Sequence, residues 1–523
     1  MKHIYKIGLA IFSMSLLVSC HKDLERMPTN GQTSDIIYST AKGYKLAFAK
    51  VYGSFAMTGN DGPGSGDIQG IDPGTSDFLR LYWGAQELST DEALVAWGDA
   101  GIQDFHNMNW YSSNPFLTGL YYRSLYQITL ANDFIRNASD ANLNARGIAS
   151  TDAEAIHKYK TEARFLRAYQ YSILMDLFGN PHFITDEEAI GSLPKQIKRK
   201  DLFDYVEKEL KAIEGELLPA KTNQYGRADQ AAAWALLTRI YLNAEVFTGT
   251  PRYTDAITYS KKVINAGYKL IPDYRQLFLA DNHLNTDEFI LTINYDGIKT
   301  EGYGGTTFIT HASTGGSMNA ADYGLNSGWG GIRATRKLPD LFPDITGNQD
   351  KRAQFYTNGQ NMEIDKVSEF TDGVAVIKFR NKTRSGANGQ SLEFSDIDYP
   401  IFRLGEIYLL YAEAVVRRGT GGDMATAISY INKLRQRAYG NNSGDVSSIN
   451  LDFILDERAR ELYWEGYRRT DLIRFGKFTT SAYLWPWKGG VKSGTSVGAY
   501  RNLYPLPSKD LSSNPNLNQH ANY

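Results

Sequence analysis

The sequence predicts a mainly α fold: a layer of paired helices joined to an irregular, loop-rich lobe with a few short strands. Three observations carry that expectation. Apolar residues recur every three to four positions in TEARFLRAYQYSILMDLF and ERARELYWEGYRRTDLIRF, which places them on one face of a helix. Two couples of such stretches are rich in alanine and short-linked: AAAWALLTRIYLNAEV with YTDAITYSKKVINAGYKL, and FRLGEIYLLYAEAVVRRG with MATAISYINKLRQRAY. Between residues 281 and 400 the periodicity stops, and glycine, serine, threonine and aromatics take over, as in YGGTTFITHASTGGSMNAADYGLNSGWGG.

In chain order the expected helices are 35–55, 115–137, 152–178, 200–217, 228–246, 253–266, 401–418, 424–439 and 454–475. Small residues facing bulky ones in couples of this length resemble tetratricopeptide-type units. No strict period is visible, so the helical pairs at about 116–266 and 401–476 are degenerate copies expected to pack through the chain between them. FILTINY and VAVIKF alternate as short strands do. The stretch 58–76, rich in Gly, Asp and Pro, is a long loop; its G-P-G-S-G is not a phosphate loop, because no strand precedes it and no Lys-Ser/Thr follows.

Within 454–475, Leu455, Ala459, Leu462, Tyr463 and Gly466 are expected on one helical face. On the other face Asp456 and Glu457 reach Arg460, and Glu465 reaches Arg468 and Arg469. Thr470 is placed to cap a second short helix that Gly476 ends. No nucleophile, histidine or metal cluster stands nearby, so these charges read as architecture that braces loops. Trp485 and Trp487, flanking Pro486, read as structural, and the tail Tyr504-Pro505-Leu506-Pro507 as docked.

The 523 residues carry a formal net charge of −2, which leaves no basic surplus for nucleic acid. At the N-terminus Lys2 and Lys6 precede an apolar run, 7–17, too short to span a bilayer. It ends at Leu17-Val18-Ser19-Cys20, and Cys20 is the only cysteine, so no internal disulfide forms. That placement reads as the lipid-modified residue of a bacterial lipoprotein, with 1–19 a signal peptide, 20–34 a lipidated tether and 35–523 one domain. The chain is then held to its membrane by the lipid alone.

With these stretches in hand, the chain resembles the SusD/RagB family of outer-membrane glycan-binding lipoproteins. The likeness runs from the lipobox through EARFLRAYQYSILMDLFG, RADQAAAWALLTRIYLNA, FRLGEIYLLYAEA, ERARELYWEGYRRTDLIRFG and YPLPSKDL, and so covers nearly the whole chain. Among the family it is most similar to starch-binding members, in IDPGTSDFLR, ELSTDEALVAW, DGIKTEGYGGTTF and SGWGG. The resemblance implies an aromatic arc of Trp97, Tyr303 and Trp329, with polar contacts from Asp72 and Arg80, in a glycan-facing lobe of about 58–110 and 281–400. It also implies a SusC-like TonB-dependent transporter as partner, alongside other surface glycan-binding lipoproteins, and an outer-membrane, cell-surface location. Two positions depart from the starch-binding pattern. Val95 stands where a second tryptophan is found, and Ala100 where a sugar-contacting asparagine is found, with Asp99 the neighbour able to replace that bond.

The chemistry of those side chains fits the implied ligand. A sugar ring has a flat C–H face and a rim of hydroxyls, so binding it in water needs aromatic planes and charged or amide groups together. Three rings worth about 0.5–1.5 kcal/mol each beyond area burial support a micromolar-to-millimolar site, as a protein that hands its sugar on requires. Tyr303 and Trp329 sit in glycine-rich loops with little helical packing to bury them, whereas a tryptophan after ALVA is as readily a core residue. Asp72 before Pro73-Gly74 is otherwise a turn residue, and Arg80 otherwise a surface ion-pair partner. The expected function is capture of starch or related α-glucans (maltooligosaccharides) for a transporter, without catalysis. The alternatives are another polysaccharide in the same kind of uptake system, or a glycoside hydrolase, for which no HExxH, GxSxG or Cys-His arrangement speaks. No cofactor is expected; Asp281, Asp287 and Glu288 offer oxygens for a structural calcium ion, without EF-hand spacing.

Overall fold

Local capping chemistry fixes where the long helices begin. Asn114 accepts the N–H groups of Phe116 and Leu117 and is followed by Pro115, so a helix starts there and runs Pro115–Asn137. Asp423 caps Met424–Tyr439, which Gly440 ends in the left-handed conformation.

The computed structural model describes residues 34–523. Cys20, the signal peptide and the tether lie outside the described residues. The helices used below are α1 (Ala41–Gly53), α2 (Phe78–Glu87), α3 (Pro115–Asn137), α4 (Ser150–Leu177), α5 (Arg199–Ile213), α6 (Gln230–Leu242), α7 (Tyr253–Asn265), α8 (Gly305–Ala312), α9 (Leu404–Val416), α10 (Met424–Tyr439), α11 (Leu451–Leu462) and α12 (Arg468–Arg474). The strands are β1 (Ala93–Val95), β2 (Phe289–Ile293), β3 (Ile332–Ala334) and β4 (Tyr399–Arg403). β1 pairs antiparallel with β3, Val95 opposite Ile332, and β2 pairs antiparallel with β4, Phe289 opposite Arg403.

Neighbouring helices pack in a continuous series, α3 on α4, α4 on α5, α6 on α7, α7 on α9, α9 on α10 and α11. The two short-linked couples therefore stack directly, α7 against α9, and do not pack through the chain between them as expected. Arg239 on α6 crosses this junction to Glu406 on α9 at 2.8 Å. The intervening residues leave as β2, return as β4, and carry the irregular lobe between those two strands.

Several expected boundaries move. The helix expected over 35–55 is two, Ser34–Ile37 and α1, because Thr40 interrupts the first to cap the second. The first residues of the helix expected over 401–418 are strand β4, and α9 starts at Leu404. The stretch expected at 228–246 breaks at Asn243, between α6 and Ala244–Thr248. GTTFITHA, read as irregular, is the buried helix α8. Tyr504 and Leu506 are fully buried, and Trp485 packs on Phe478, as expected.

The largest correction concerns 454–475. α11 ends at Leu462, and the chain turns through Trp464 (φ 66°) and Gly466 (φ 75°) into α12, so Gly466 belongs to no helical face. A Cβ at Gly466 would lie 2.9 Å from Tyr82 and from the Tyr399 hydroxyl, while its N–H donates to Glu87 at 2.7 Å. Thr470 lies inside α12 and does not cap it; its hydroxyl donates to Asp176 at 2.5 Å.

The charged face of α11 is buried, not solvated. Glu461 takes Arg403 at 2.6 Å, Arg352 at 3.3 Å and Arg437; Glu457 takes Arg352 and Arg435, both at 2.8 Å, and Arg460 at 2.7 Å. Glu465 pairs with Lys378 and Arg403 at 2.7 Å, not with Arg468 or Arg469; Arg468 pairs instead with Asp91 at 2.6 Å. Asp456 makes no ion pair with Arg460 among the described residues. Arg403 ends β4, Lys378 and Arg352 come from the lobe, and Arg437 from α10. Glu457 and Glu461 of α11, with Glu465 in the turn after it, thus tie the irregular lobe to the helical layer through charge-assisted bonds, the bracing role expected with different partners.

Candidate functional site

One buried carboxylate sets the geometry of the candidate site. Asp77 caps α2 by accepting the Arg80 N–H at 2.8 Å and accepts the Gly305 N–H of α8 at 3.0 Å with the same oxygen. Burial pushes its carboxyl up, and the Arg80 and Gly305 amides act against that. Gly304 has no room for a Cβ against Asp77, and Gly305, at φ 58°, lies against the Tyr295 ring. The two glycines after Tyr303 are therefore required by the joint between α2 and α8.

Arg80, on the first turn of α2, lies with its guanidinium 5.0 Å from the Phe308 ring of α8 and 5.9 Å from the Trp97 ring. Among the described residues no carboxylate is close enough to pair with it. Burial lowers its pKa, opposed by the fields of Asp77, Asp99 and Asp72. Asp72 is exposed and spends one oxygen on the Gly74 N–H at 2.8 Å, the turn role of an Asp before Pro-Gly. A Cβ on Gly74 would lie 3.1 Å from Arg80 Nη1, so Gly74 keeps the turn and the guanidinium close.

Trp97 follows β1 and Trp329 precedes β3, at the same end of one ladder. Ala96 N–H donates to Gly331 O at 2.7 Å just beyond the β1–β3 pairing, and Trp97 Nε1 donates to Trp329 O at 3.2 Å. Trp97 packs edge-on to Phe308 at 6.0 Å, Gly331 giving it room. Trp329 stacks on His311 of α8 at 4.7 Å and 25°, and its N–H donates to His311 O at 2.8 Å. Tyr303 stands 6.5 Å from Trp329 at 52°, is 43% exposed, and donates its hydroxyl to Glu393 Oε1 at 2.8 Å. That bond holds the phenol above its usual range.

The structure therefore links Arg80, Trp97, Trp329 and Tyr303 as one run of neighbours, the first three half-buried and Tyr303 exposed, with Asp72 in the turn beside Arg80. Val95, pairing with Ile332, is 1% exposed, so position 95 faces the core and offers no surface for a second ring. Asp99 and Ala100 are both exposed. Residues missed by sequence reasoning form the back of the face: Asp77, Phe308, His311, Glu393 and Phe394. Asp77 had a signal, since Ser-Asp before an apolar run is a helix start. His311 and Glu393 had none: His311 Nε2 lies 3.1 Å from Glu393 O across 82 residues of chain.

The acidic run at 281–288 does not converge. Asp281 pairs with Arg384 at 3.0 Å, Asp287 with Lys221 at 3.1 Å, and buried Glu288 with Arg437 at 2.8 Å. Among the described residues no group of three or more His, Cys, Asp or Glu side chains is disposed to hold a metal.

Comparison with known proteins now places the chain. A family model described as SusD family matches residues 345–523, and one described as starch-binding associating with outer membrane matches 89–242. The starch-binding protein SusD of Bacteroides thetaiotaomicron is 35% identical over 100% of this chain and 99% of its own. The chain belongs to the SusD family. Among solved SusD-family folds, a SusD homolog from Bacteroides thetaiotaomicron superposes with a TM-score of 0.75 at 19% identity, covering 94% of this chain and 99% of that one. The surface glycan-binding protein A of the same organism, in complex with laminarihexaose, gives 0.69 at 21% identity, covering 92% and 99%. Both likenesses show a shared SusD-type fold.

Proposed function

We propose that this SusD-family chain binds α-glucan of the maltooligosaccharide type on the face formed by Trp97, Trp329, Tyr303 and Arg80, and delivers it to a TonB-dependent transporter. The observation that carries the reading is the run of neighbours: Trp97 bonded to Trp329 O, Trp329 beside Tyr303 with the two rings tilted by 52°, and unpaired Arg80 next to Trp97. Rings tilted to one another suit a coiled chain better than a flat one, and an arginine without a carboxylate keeps its donors for sugar hydroxyls. Similarity to a starch-binding protein over the whole chain supports the same ligand. A different glucan is the second reading, favoured by buried Val95 and by Ala100, which remove a ring and an amide from the starch-binding pattern.

Two of the carboxylates at this face are already engaged. Asp77 is buried against two backbone amides, and Glu393 holds a phenol. A binding panel of maltoheptaose, β-cyclodextrin and laminarin on the mature chain is expected to show saturable micromolar-to-millimolar affinity for the first two and no reducing ends released. Affinity for laminarin alone would move the assignment to the second reading, and reducing ends from contaminant-free protein would end the binding-only reading.

Glu393 positions Tyr303. Its carboxylate accepts the phenol and its carbonyl meets His311, which backs Trp329. Glu393→Ala is expected to weaken maltoheptaose binding roughly three- to tenfold, the worth of one hydrogen bond. Glu393→Gln, which keeps an acceptor, stays nearer wild type by calorimetric titration. Undiminished binding by the alanine variant would mean that Tyr303 needs no brace.

Residues 35–523 act as one unit in this proposal, which the continuous apolar core from Tyr38 to Leu506 supports. Attachment to the outer membrane comes from lipid on Cys20; among the described residues no helix is long and apolar enough to cross a membrane. Cys20→Ala is expected to release the protein into the soluble fraction, and retention of that variant in the membrane pellet would refute the anchor.

A further inference from the structure

A cleft of about 330 Å³ opens between α1, α4, the turn at Gln224–Arg227 and strand β2, away from the four-residue face. That volume sits at the lower end of the range for small-molecule sites, about 300–1,000 Å³. One wall is aromatic: Phe48 and Tyr159 stack at 4.5 Å and 14°, with Tyr52 and Tyr225 beside them. Their phenols are already used, Tyr52 donating to Glu162 at 2.7 Å and Tyr225 to Asp398 at 2.7 Å, so these two rings are held still. Arg227 closes one end, its charge met by Glu162 and its guanidinium within 5.2 Å of Phe48 and 5.1 Å of Tyr159.

Phe55, Leu166, Leu291, Ile293 and Ile401 make much of the remaining lining apolar, and Lys45, Gln224, Asn294 and Thr300 supply its polar groups, the Thr300 hydroxyl already bonded to Asp296. Asn294 is exposed at the mouth. Its Oδ1 takes the Thr292 hydroxyl at 2.6 Å, its Nδ2 has no partner among the described residues, and Gly226, at φ 78°, packs against the amide with no room for a Cβ. Among the described residues no carboxylate side chain lines the cleft.

These walls discriminate between guests. A purely apolar guest would cover the Asn294 and Gln224 amides without bonding to them. An anion would find one solvated lysine, since Arg227 is already neutralised. A neutral guest with a flat C–H face and a hydroxyl edge uses both walls. We propose that this cleft is a second saccharide site, taking one or two neutral sugar units. It is linked to the first through the segment that carries both Thr300 and Tyr303.

The test silences the ring face with Trp329→Ala and titrates glucose, maltose and cellobiose by saturation-transfer NMR. Millimolar, saturable binding of at least one sugar is expected to survive in that variant. Adding Ala49→Trp, which fills the cleft from an exposed position on α1, is expected to abolish it. Adding Asn294→Ala instead is expected to weaken it about fivefold, and this smaller change decides the matter if the tryptophan variant does not fold. Ala49→Trp alone is expected to leave maltoheptaose binding at wild-type affinity. Absence of saturable binding of any of the three sugars to Trp329→Ala would overturn the proposal, as would binding unaffected by the cleft substitutions. Failure of the α-glucan reading shows separately, as a wild-type chain that ignores maltoheptaose while Trp329→Ala still takes the small sugars.

Discussion

A Trp329→Ala chain is expected to lose maltoheptaose affinity by about 30-fold or more, the scale of a hot-spot aromatic, while its melting temperature stays within a few degrees of wild type. The structure explains why the two effects separate at this residue. Trp329 is half-buried and its ring lies on His311, whose ring nitrogens keep their places against Ser327 O and Glu393 O when the indole is gone, the neutral imidazole donating to one of the two. The bond from Trp97 Nε1 goes to the Trp329 carbonyl, not its side chain, and so survives the truncation. Trp97→Ala is a poorer experiment, because that ring fills space against Phe308 and Gly331 and its loss disturbs the β1–β3 exit. Calorimetric titration beside thermal unfolding checks both quantities; undiminished affinity for maltoheptaose would remove Trp329 from the site.

Glu461→Ala is expected to cost about 3–5 kcal/mol, because it strips one carboxylate from three buried guanidiniums. Arg403, Arg437 and Arg352 all reach Glu461, and each is nearly inaccessible to solvent. An exposed pair offers the control: Lys200 and Asp204 lie 3.4 Å apart on α5, and Asp204→Ala should change stability by no more than about 0.5 kcal/mol. Acid titration supplies a second readout. Burial pushes the Glu461 carboxyl up, but Arg437, Arg403 and Arg352 pull harder and bring it down to about 2 from the usual 4.5. A carboxyl depressed on folding stabilises the native state above its unfolded pKa, and that contribution is lost as pH falls through the folded value. The stability gap between wild type and Glu461→Ala is therefore expected to stay constant above pH 4.5 and to narrow progressively toward pH 2. A gap of under 1 kcal/mol at neutral pH, in denaturant melts of soluble variants, would show that the buried charges are not coupled as described.

Helices were legible wherever a cap and a period agreed. Asn114-Pro115 and Asp423 with Gly440 mark their helices in the sequence, and the structure follows those marks. The stretch after Leu455 misled because its spacing is helical while its backbone is not: the turn at Trp464 and Gly466 is imposed by Tyr82, Tyr399 and Glu87, which lie far away in the chain. Burial of the α11 charges was illegible for a related reason. Periodicity marks Glu457, Glu461 and Glu465 as one polar stripe, but only partners from four other segments turn that stripe into an interior. At the candidate site the three rings and Arg80 could be named from residue matches. Their supports could not, since Glu393 and His311 acquire meaning only once the lobe has folded.

The seam between α2 and the end of the chain also governs when the protein can become itself. Trp83 Nε1 donates to Trp464 O across 381 residues, and Tyr504 donates its hydroxyl to Ala85 O across 419. Synthesis delivers α2 early and its anchors last, so the helix that bears Arg80 waits for nearly the entire polypeptide before it can settle. Closing contacts at such separations is slow.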